Sequence, residues 1–345
     1  MHSRCSNHTD LRFQAISEPR PGEKWRALFD RHWSVYRDWF LAEGDAARPS
    51  YLECQRQLKM YMPELLPIYE RLCELADGSD TASRFLSMYR PPPYLSGCSQ
   101  AVWTGDQPFL VRNYDYSPSQ LEGTLLHTSW SDRQVIAMSD CCWGVVDGFN
   151  DAGLAVSLTF GGRRVVGDGF GVTIVLRYVL EFCDSVSEAV AVLKRVPVHM
   201  TYNVTVLDKS GQFRTVFLSP DRDPVVRQSA ATTNHQESVE WHQHARATAS
   251  VERERFLFER LADPWETPQR FVQHFHFPPL FSHNYGHGFG TLYTTIYRPA
   301  TGQMQVLWPD SGWHQSFRNF EEQSRRIKYR DQPAHPYIFP AVGVS

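Results

Sequence analysis

Apolar residues recur at helical spacing within the first ninety residues of the chain. Residues three and four apart share one face of a helix, so the stripe predicts an amphipathic helix that ends near Gly44. The stripe consists of Trp25, Leu28, Phe29, Trp33, Tyr36 and Phe40. Two more helical stretches are predicted, one over residues 50–75 that prolines break or kink and a shorter one over residues 81–88. Before them, the polar and proline-containing residues 1–23 predict a loosely held arm.

The pattern changes after Pro91, Pro92 and Pro93, which end the helical part. Short runs with β-strand character follow, with turn signals between them, so we place a boundary here. The predicted strands cover residues 100–104, 109–116, 143–147, 154–160, 202–207, 213–218, 292–297 and 304–307, and helical pieces fall within 172–196, 247–261 and 268–275. Strands in two groups separated by helical pairs favour an α+β layered sandwich over a doubly wound parallel sheet.

Composition and charge exclude several classes of function. Of the 345 residues, 42% are hydrophobic and 21% are charged, which is typical of globular domains and excludes a disordered or fibrous protein. Lys and Arg number 35 against 38 Asp and Glu, a net charge of -3 without a block of like charges, so nucleic-acid binding is not expected. The chain has no apolar run of about eighteen residues and no apolar signal core, which predicts no membrane association and a cytoplasmic location.

Cysteine usage points to a reducing compartment and to one cysteine with chemistry of its own. The seven cysteines are odd in number and lack a C-x-x-C pair. Cys98 follows Gly97 at the start of the first predicted strand, and a glycine there leaves the backbone free for an intramolecular attack on the Gly97–Cys98 peptide. Cleavage would make Cys98 an N-terminal residue whose α-amine takes the thiol proton. The alternative is a buried core cysteine, since free Cys is among the most buried residue types.

The strand after Cys98 carries ionisable residues that suit such a nucleophile. Side chains alternate along a strand, so Arg112 lies on one face and Asp115 on the other. The two side chains reach one site if the strand ends or bulges between them, and the guanidinium then favours the thiolate. A surface ion pair of little energetic value is the alternative.

Four short motifs in this order resemble a known family. They are Gly97-Cys98-Ser99, then Arg112-Asn113-Tyr114-Asp115-Tyr116, then the segment from Asp147 to Ser157, and then Thr233-Asn234-His235. Together they resemble the acyl-coenzyme A:6-aminopenicillanic acid acyltransferase family (peptidase family C45) of cysteine N-terminal nucleophile hydrolases. This family is distantly related to the choloylglycine hydrolases and penicillin V acylases.

The resemblance implies a fold and a set of roles. It implies a four-layer αββα sandwich, with residues 1–97 as a helical pro-segment and residues 98–345 as the catalytic part. Cys98 would be the nucleophile after cleavage of the Gly97–Cys98 bond, Arg112 would lie beside the thiolate and Asp115 would bind the new α-amine. Asn234 would donate its side-chain amide to the oxyanion of the tetrahedral intermediate, where a fixed donor is worth about 2.7 to 4 kcal/mol. An ordinary Asn turn is the alternative for Asn234.

Two further roles are carried over at positions where the motif match is weaker. Thr159 stands near the place where the relatives carry a second oxyanion donor, but it departs from their Asn or Tyr. The relatives also have a helical Arg near the nucleophile, and Arg253 is preferred to Arg255 on its spacing from Ser250. A solvated helix face is the alternative for either arginine.

The expected function is that of a self-processing amide hydrolase or acyltransferase that forms a Cys98 acyl-enzyme. Its substrate would be a small N-acyl compound or an acyl thioester, with no cofactor and no metal, and water or an amine would take the acyl group. Two alternatives remain open: an amine N-acyltransferase with an acyl thioester donor, and a catalytically degenerate binding protein on the same fold. The oligomeric state is not predicted.

Overall fold

The structure, a computed structural model, describes residues 8–94 and 96–330 as two β-sheets with helices on their outer faces. The strands are β1 (His8–Glu18), β2 (Gly97–Trp103), β3 (Phe109–Tyr116), β4 (Thr124–Thr128), β5 (Val135–Asp140), β6 (Gly144–Asn150), β7 (Leu154–Phe160), β8 (Tyr202–Asp208), β9 (Phe213–Ser219), β10 (Arg222–Arg227), β11 (Ala231–Thr232), β12 (Gly290–Arg298), β13 (Gln303–Trp308), β14 (Ser311–Ser316) and β15 (Gln323–Arg330). The helices are α1 (Glu23–Phe40), α2 (Tyr51–Tyr61), α3 (Leu66–Leu75), α4 (Asp80–Leu86), α5 (Val172–Phe182), α6 (Val186–Arg195), α7 (His242–Ala247), α8 (Ser250–Leu261) and α9 (Pro268–His274).

The strands form a nine-stranded and a six-stranded sheet that pack face to face. The first has the order β10-β9-β8-β7-β6-β5-β4-β1-β15, and the second has the order β11-β2-β3-β12-β13-β14. Polar side chains join the two inner faces: the amide of Gln100 in β2 donates to the carbonyl of Asn203 in β8 at 3.1 Å, and Ser157 of β7 donates to Gln100. Buried polar groups of this kind must be hydrogen-bonded, so they fix the register between the sheets.

Helices cover both outer faces. Asn150 of β6 donates to the carbonyls of Leu180 and Cys183, which places α5 outside the nine-stranded sheet. Asn113 of β3 donates to the carbonyl of Phe275 at 2.8 Å, which places the end of α9 outside the six-stranded sheet. The fold is therefore α+β with the four layers αββα, as the resemblance implied.

Most predicted elements form where the sequence placed them. Strands β2 and β3 form the predicted hairpin, and the stretch over residues 172–196 contains α5 and α6. The stripe of α1 lies largely in the core, where Trp25 and Phe40 are fully buried, and the ring of Phe29 stacks on that of Trp25 at 5.3 Å between centroids.

The prediction of a loose arm over residues 1–23 is wrong for its described part. Strand β1 lies inside the nine-stranded sheet, parallel to β4 and antiparallel to β15. Phe13 and Ala15 alternate with polar neighbours and are buried, a period of two that favours a strand. The N-terminal segment therefore contributes a strand to the sheet as well as helices.

Among the described residues, no helix combines the length and the apolar content needed to cross a bilayer.

Candidate active site

Cys98 is the second residue of β2 and is fully buried. Across the hairpin it pairs with Tyr114, so its side chain points into the space between the sheets together with that of Arg112. The Arg112 Nη2 donates to the sulfur at 3.1 Å, and the thiol lies 4.0 Å from the hydroxyl of Ser96. The fold thus brings the guanidinium of Arg112 to the thiol.

Arg112 is fixed by contacts with the opposite sheet. Its Nε donates to the carbonyl of Leu158 at 2.8 Å, and its Nη1 forms an ion pair with Asp147 in which both side chains are fully buried. Its guanidinium also lies over the ring of Tyr114, 4.7 Å from the centroid. These contacts use the other nitrogens of the fork and leave Nη2 for the sulfur of Cys98.

The thiol is neutral in the uncleaved chain. Burial raises the pKa of Cys98, because a thiolate loses its hydration there, and Arg112 lowers that pKa by a smaller amount. Burial also disfavours the charge of Arg112, yet Asp147, and Cys98 in its ionised form, raise the pKa of this guanidinium. The positive charge is therefore permanent, whereas the thiolate needs a base.

Asp115 reaches the same residue from the other face of the strand. Its carboxylate forms an ion pair with Arg253 at 3.1 Å and accepts from the hydroxyl of Thr291 at 2.7 Å. Burial raises the pKa of Asp115, and Arg253 opposes that shift. Arg112 thus lies beside the sulfur of Cys98, while Asp115 belongs to the layer behind its backbone. No bulge between them in β3 is needed, and the bulge lies in β12, between Thr291 and Tyr293.

Arg253 and Asn234 hold the backbone of Cys98. Arg253 lies on α8 and donates from Nη1 to the carbonyl of Cys98 at 2.9 Å and from Nη2 to the Oδ1 of Asn234 at 2.6 Å. The Cys98 N–H donates to the same Oδ1 at 3.1 Å. The Nδ2 of Asn234 lies 3.4 Å from the carbonyl of Ser96 and 3.3 Å from that of Phe160. Arg255, the rejected alternative, is exposed and lies 3.7 Å from Glu259.

The turn that carries Asn234 is anchored to the first residue of α8. The backbone N–H of Asn234 donates to the hydroxyl of Ser250 at 2.8 Å, and the hydroxyl of Thr233 donates to the carbonyl of Ser250 at the same distance. Ser250 is fully buried. Sequence reasoning used Ser250 for spacing alone and missed this positioning role.

Thr159 contacts this turn instead of the nucleophile. Its hydroxyl donates to the carbonyl of Thr233 at 2.6 Å and accepts from the amide of Asn203 at 3.1 Å. Among the described residues, no hydrogen bond joins Thr159 to Cys98. Its proposed service as a second oxyanion donor stays a prediction.

Gly97 lies where a side chain has no room. A Cβ at this position would be 2.7 Å from the Cζ of Phe289 and 3.3 Å from the Cβ of Asp115. The φ angle of Gly97 lies outside the left-handed region, so the close approach of the Phe289 ring explains the glycine better than backbone strain does.

Asp147 is the main residue of this site that sequence reasoning left without a role. It is fully buried and accepts from the hydroxyls of Tyr293, at 3.2 Å, and Tyr297. The available signal was an acidic residue directly after the apolar residues 143–146, since an ionised carboxylate in a buried strand needs a cation. As for metals, no three His, Cys, Asp or Glu side chains of the described chain are grouped to hold an ion.

A known family matches the sequence around this site. The profile of the acyl-coenzyme A:6-aminopenicillanic acid acyl-transferase family matches residues 102–313, more than half of the chain. The matched stretch includes Arg112, Asp115, Asn234 and Arg253 and begins four residues after Cys98. The sequence has no match among curated proteins.

Three solved structures are similar at low identity. Penicillin V acylase from Agrobacterium tumefaciens is 16% identical with a TM-score of 0.45, over 64% of this chain and 86% of that one. A mutant conjugated bile acid hydrolase from Clostridium perfringens is 13% identical with a TM-score of 0.45, over 70% and 99%. An N-acylethanolamine-hydrolyzing acid amidase ortholog from Caenorhabditis elegans is 14% identical with a TM-score of 0.41, over 63% and 98%.

The family profile is the finding that decides membership, because it spans more than half of the chain and covers four of the residues that surround Cys98. This protein belongs to the acyl-coenzyme A:6-aminopenicillanic acid acyl-transferase family.

Proposed function

We propose that the protein is a self-processing amide hydrolase or acyltransferase in which Cys98 is the nucleophile. The observation that carries this proposal is the 3.1 Å contact between the Arg112 Nη2 and the Cys98 sulfur, directly after Gly97. A buried thiol beside a permanent positive charge is the arrangement that stabilises a thiolate once a base is available.

The first reaction is cleavage of the chain at the Gly97–Cys98 bond. The Cys98 sulfur attacks the carbonyl carbon of Gly97 and forms a C–S bond, and the C–N bond between the two residues then breaks. The thiol proton ends on the Cys98 nitrogen, which becomes an α-amine. Water hydrolyses the remaining thioester, leaving a carboxylate on Gly97 and a free thiol on Cys98. The reaction consumes one water molecule and needs no cofactor.

The second reaction is turnover of a small substrate by the new N-terminal residue. The α-amine of Cys98 takes the thiol proton, and the thiolate attacks an amide or thioester carbonyl to form an acyl-enzyme. The protonated amine then gives its proton to the leaving group, and water or an amine removes the acyl group. Asp115 and Arg253 lie behind the Cys98 backbone and suit holding this amine in place.

Asn234 supports both steps from its fixed turn. In the uncleaved chain its Oδ1 accepts from the Cys98 N–H at 3.1 Å, and this oxygen also receives a hydrogen bond from Arg253. With the Oδ1 held in this way, the Nδ2 is presented on the side of the carbonyls before Cys98. A donor fixed before the reaction costs no reorganisation when charge develops on the oxyanion.

Self-processing is tested by intact mass and N-terminal sequencing of the purified protein. We expect one fragment that ends at Gly97 and one that begins at Cys98. Cys98→Ala should leave a single chain without activity, whereas the control Cys183→Ala removes another buried thiol and should cleave normally. A wild-type chain that stays whole, with a Cys98 that reacts with acyl probes no faster than the other cysteines, would favour the degenerate binding protein.

Hydrolase and transferase are separated by the products. The mature protein is given an acyl thioester with and without a panel of amines. Free acid alone identifies the hydrolase, and an acylated amine identifies the N-acyltransferase.

A further inference from the structure

A pocket lies between α1 and the segment that follows β3. Its interior has room for about 100 Å³, enough for a small polar group rather than for a whole drug-sized molecule. Exposed Val35, Ser119 and Gln120 form its rim, and Glu122, with 6% of its surface exposed, lies at its floor. The aromatic walls are Tyr36, Trp39, Tyr94 and Tyr116.

Two carboxylates meet in this pocket on a single hydroxyl. The Tyr36 oxygen lies 3.0 Å from the Oε2 of Glu122 and 2.9 Å from the Oδ1 of Asp140. One O–H donates to one acceptor at a time, so Tyr36 cannot satisfy both carboxylates together. Burial, and then the proximity of Glu122, raises the pKa of Asp140 to about 7, and burial also raises the pKa of Glu122. The charges around the pair are therefore too weak to offset its burial.

Arg112 lowers the pKa of Asp140, but only by a small amount, and its own ion pair is with Asp147. Among the described residues, neither Glu122 nor Asp140 forms an ion pair. The backbone N–H groups of Cys141 and Cys142 donate to the Asp140 Oδ1 at 3.0 Å and to the Glu122 Oε2 at 2.8 Å. The Oε1 of Glu122 is buried and has no hydrogen bond of good geometry, although the nearby Ser139 lowers the pKa of this carboxyl. His32 also lines the pocket, but burial lowers its pKa to about 4, so it is neutral at physiological pH. Arg177 weakly favours the ionised form of Glu122, but it is paired with Glu181 at 3.2 Å. An unpaired buried acceptor of this kind is costly, which indicates that a ligand completes it.

Ring contacts connect the pocket to the proposed nucleophile. Tyr116 lies in the pocket wall, and its ring centroid is 5.4 Å from that of Tyr114. Tyr114 in turn lies under the guanidinium of Arg112, at 4.7 Å, and opposite Cys98 in the hairpin. Two packed tyrosine rings therefore separate the pocket from the guanidinium beside the sulfur.

We propose that this pocket binds a primary ammonium group of the substrate, so that the preferred amide or thioester carries a free amine. This inference rests on the proposed function, because that function is what makes the bound amine part of a substrate. The ammonium N–H groups donate to the Oε1 of Glu122 and to Asp140, and the aromatic walls stabilise the cation. Val35, Tyr36, Trp39 and Tyr94 come from residues 1–97, so the site needs the N-terminal segment in place.

Binding is tested in the full-length Cys98→Ala protein, which cannot cleave itself or turn over. Isothermal titration calorimetry compares 2-phenylethylamine with 2-phenylethanol, a neutral molecule of the same shape. We expect the amine to bind at least about tenfold more tightly, and Glu122→Gln to remove this preference. Equal affinities, no binding of the amine, or an unchanged preference in Glu122→Gln would each overturn the proposal.

A rim variant covers the case in which Glu122→Gln fails to fold. Val35 is 59% exposed, so Val35→Lys should leave the fold intact while adding a positive charge at the entrance. It should weaken binding of the amine and leave that of the alcohol unchanged, and equal effects on both would count against the site.

In active wild-type protein the amine should compete with substrate, and noncompetitive inhibition would overturn the assignment to substrate. Lack of self-cleavage would refute the proposed function and leave the binding result standing.

Discussion

The ion pair of Arg112 with Asp147 lies beside Cys98, and its two charges stabilise each other. This mutual stabilisation can be measured as a coupling in the free energy of unfolding. Both side chains are 0% exposed. Removing two ions from water costs several kcal/mol for each, so such a pair is tolerated only while both partners are present. Asp147→Asn leaves the guanidinium without its carboxylate between the sheets. We expect the free energy of unfolding to fall by about 3–5 kcal/mol.

The opposite change has the same cost for the same reason. Arg112→Met leaves the Asp147 carboxylate buried, and we again expect a loss of about 3–5 kcal/mol. The double variant removes both charges, so the second change relieves the penalty that the first one created. Its loss should therefore be smaller than the sum of the single losses, by about 2 kcal/mol or more.

The assay is urea unfolding followed by tryptophan fluorescence, with every variant made in the Cys98→Ala background so that chain cleavage does not interfere. Arg255 and Glu259 provide a matched control, because they lie 3.7 Å apart with 72% and 58% of their side chains exposed. Their cycle should give a coupling below about 1 kcal/mol. Additive losses at the buried pair, within about 0.5 kcal/mol, would refute the view that each charge is held by the other.

Three further outcomes are expected. Gly97→Ala should slow self-cleavage, because its Cβ would lie 2.7 Å from the Phe289 ring. Adding Phe289→Ala should restore the rate, and a double variant as slow as Gly97→Ala alone would contradict this steric reason. The rate of self-cleavage should rise with pH above neutral, by up to about tenfold per pH unit. Burial raises the pKa of the Cys98 thiol, so the thiolate fraction keeps growing until the pH reaches that pKa. A cleavage half-time that does not change with pH would count against a rate set by thiol ionisation. Ser250→Ala removes the hydroxyl that accepts from the Asn234 N–H at 2.8 Å. We expect the free energy of unfolding in urea to fall by about 1–3 kcal/mol and cleavage to slow. An unchanged cleavage rate would argue against a positioning role.

Local patterns were sufficient for some elements whose partners are close in sequence, but they missed β4, β5 and β14, which also pair with sequence neighbours. The hairpin of β2 and β3 closes over a short turn and was placed correctly. Strand β1 was missed because its partners are far away: Gln14 pairs with Thr124 on one side and with Ser324 on the other. A strand held by such distant partners has little local signal beyond its own alternation.

The same limit applies to the site. Motif spacing brought Cys98, Arg112 and Asn234 into consideration, and the fold gathers them. The motif spacing gave no role to Asp147, because its contact with Arg112 forms only when the two sheets pack against each other. It also left open how Arg112 and Asp115 serve one residue. The structure resolves this by placing one beside the sulfur and the other in the layer behind the backbone.

The position of the N-terminal segment determines what self-cleavage would produce. Strand β1 has neighbours on both sides in the nine-stranded sheet, and α1 buries Trp25 and Phe40 in the core. Cutting the Gly97–Cys98 bond breaks none of these contacts, so the free energy that holds residues 8–94 in place remains. Release would expose an interior strand and the apolar face of α1, which is unfavourable in water. The N-terminal segment would then become a permanent second chain. Because its Tyr36 faces Glu122 and Asp140, that chain would help to select the substrate on which Cys98 acts.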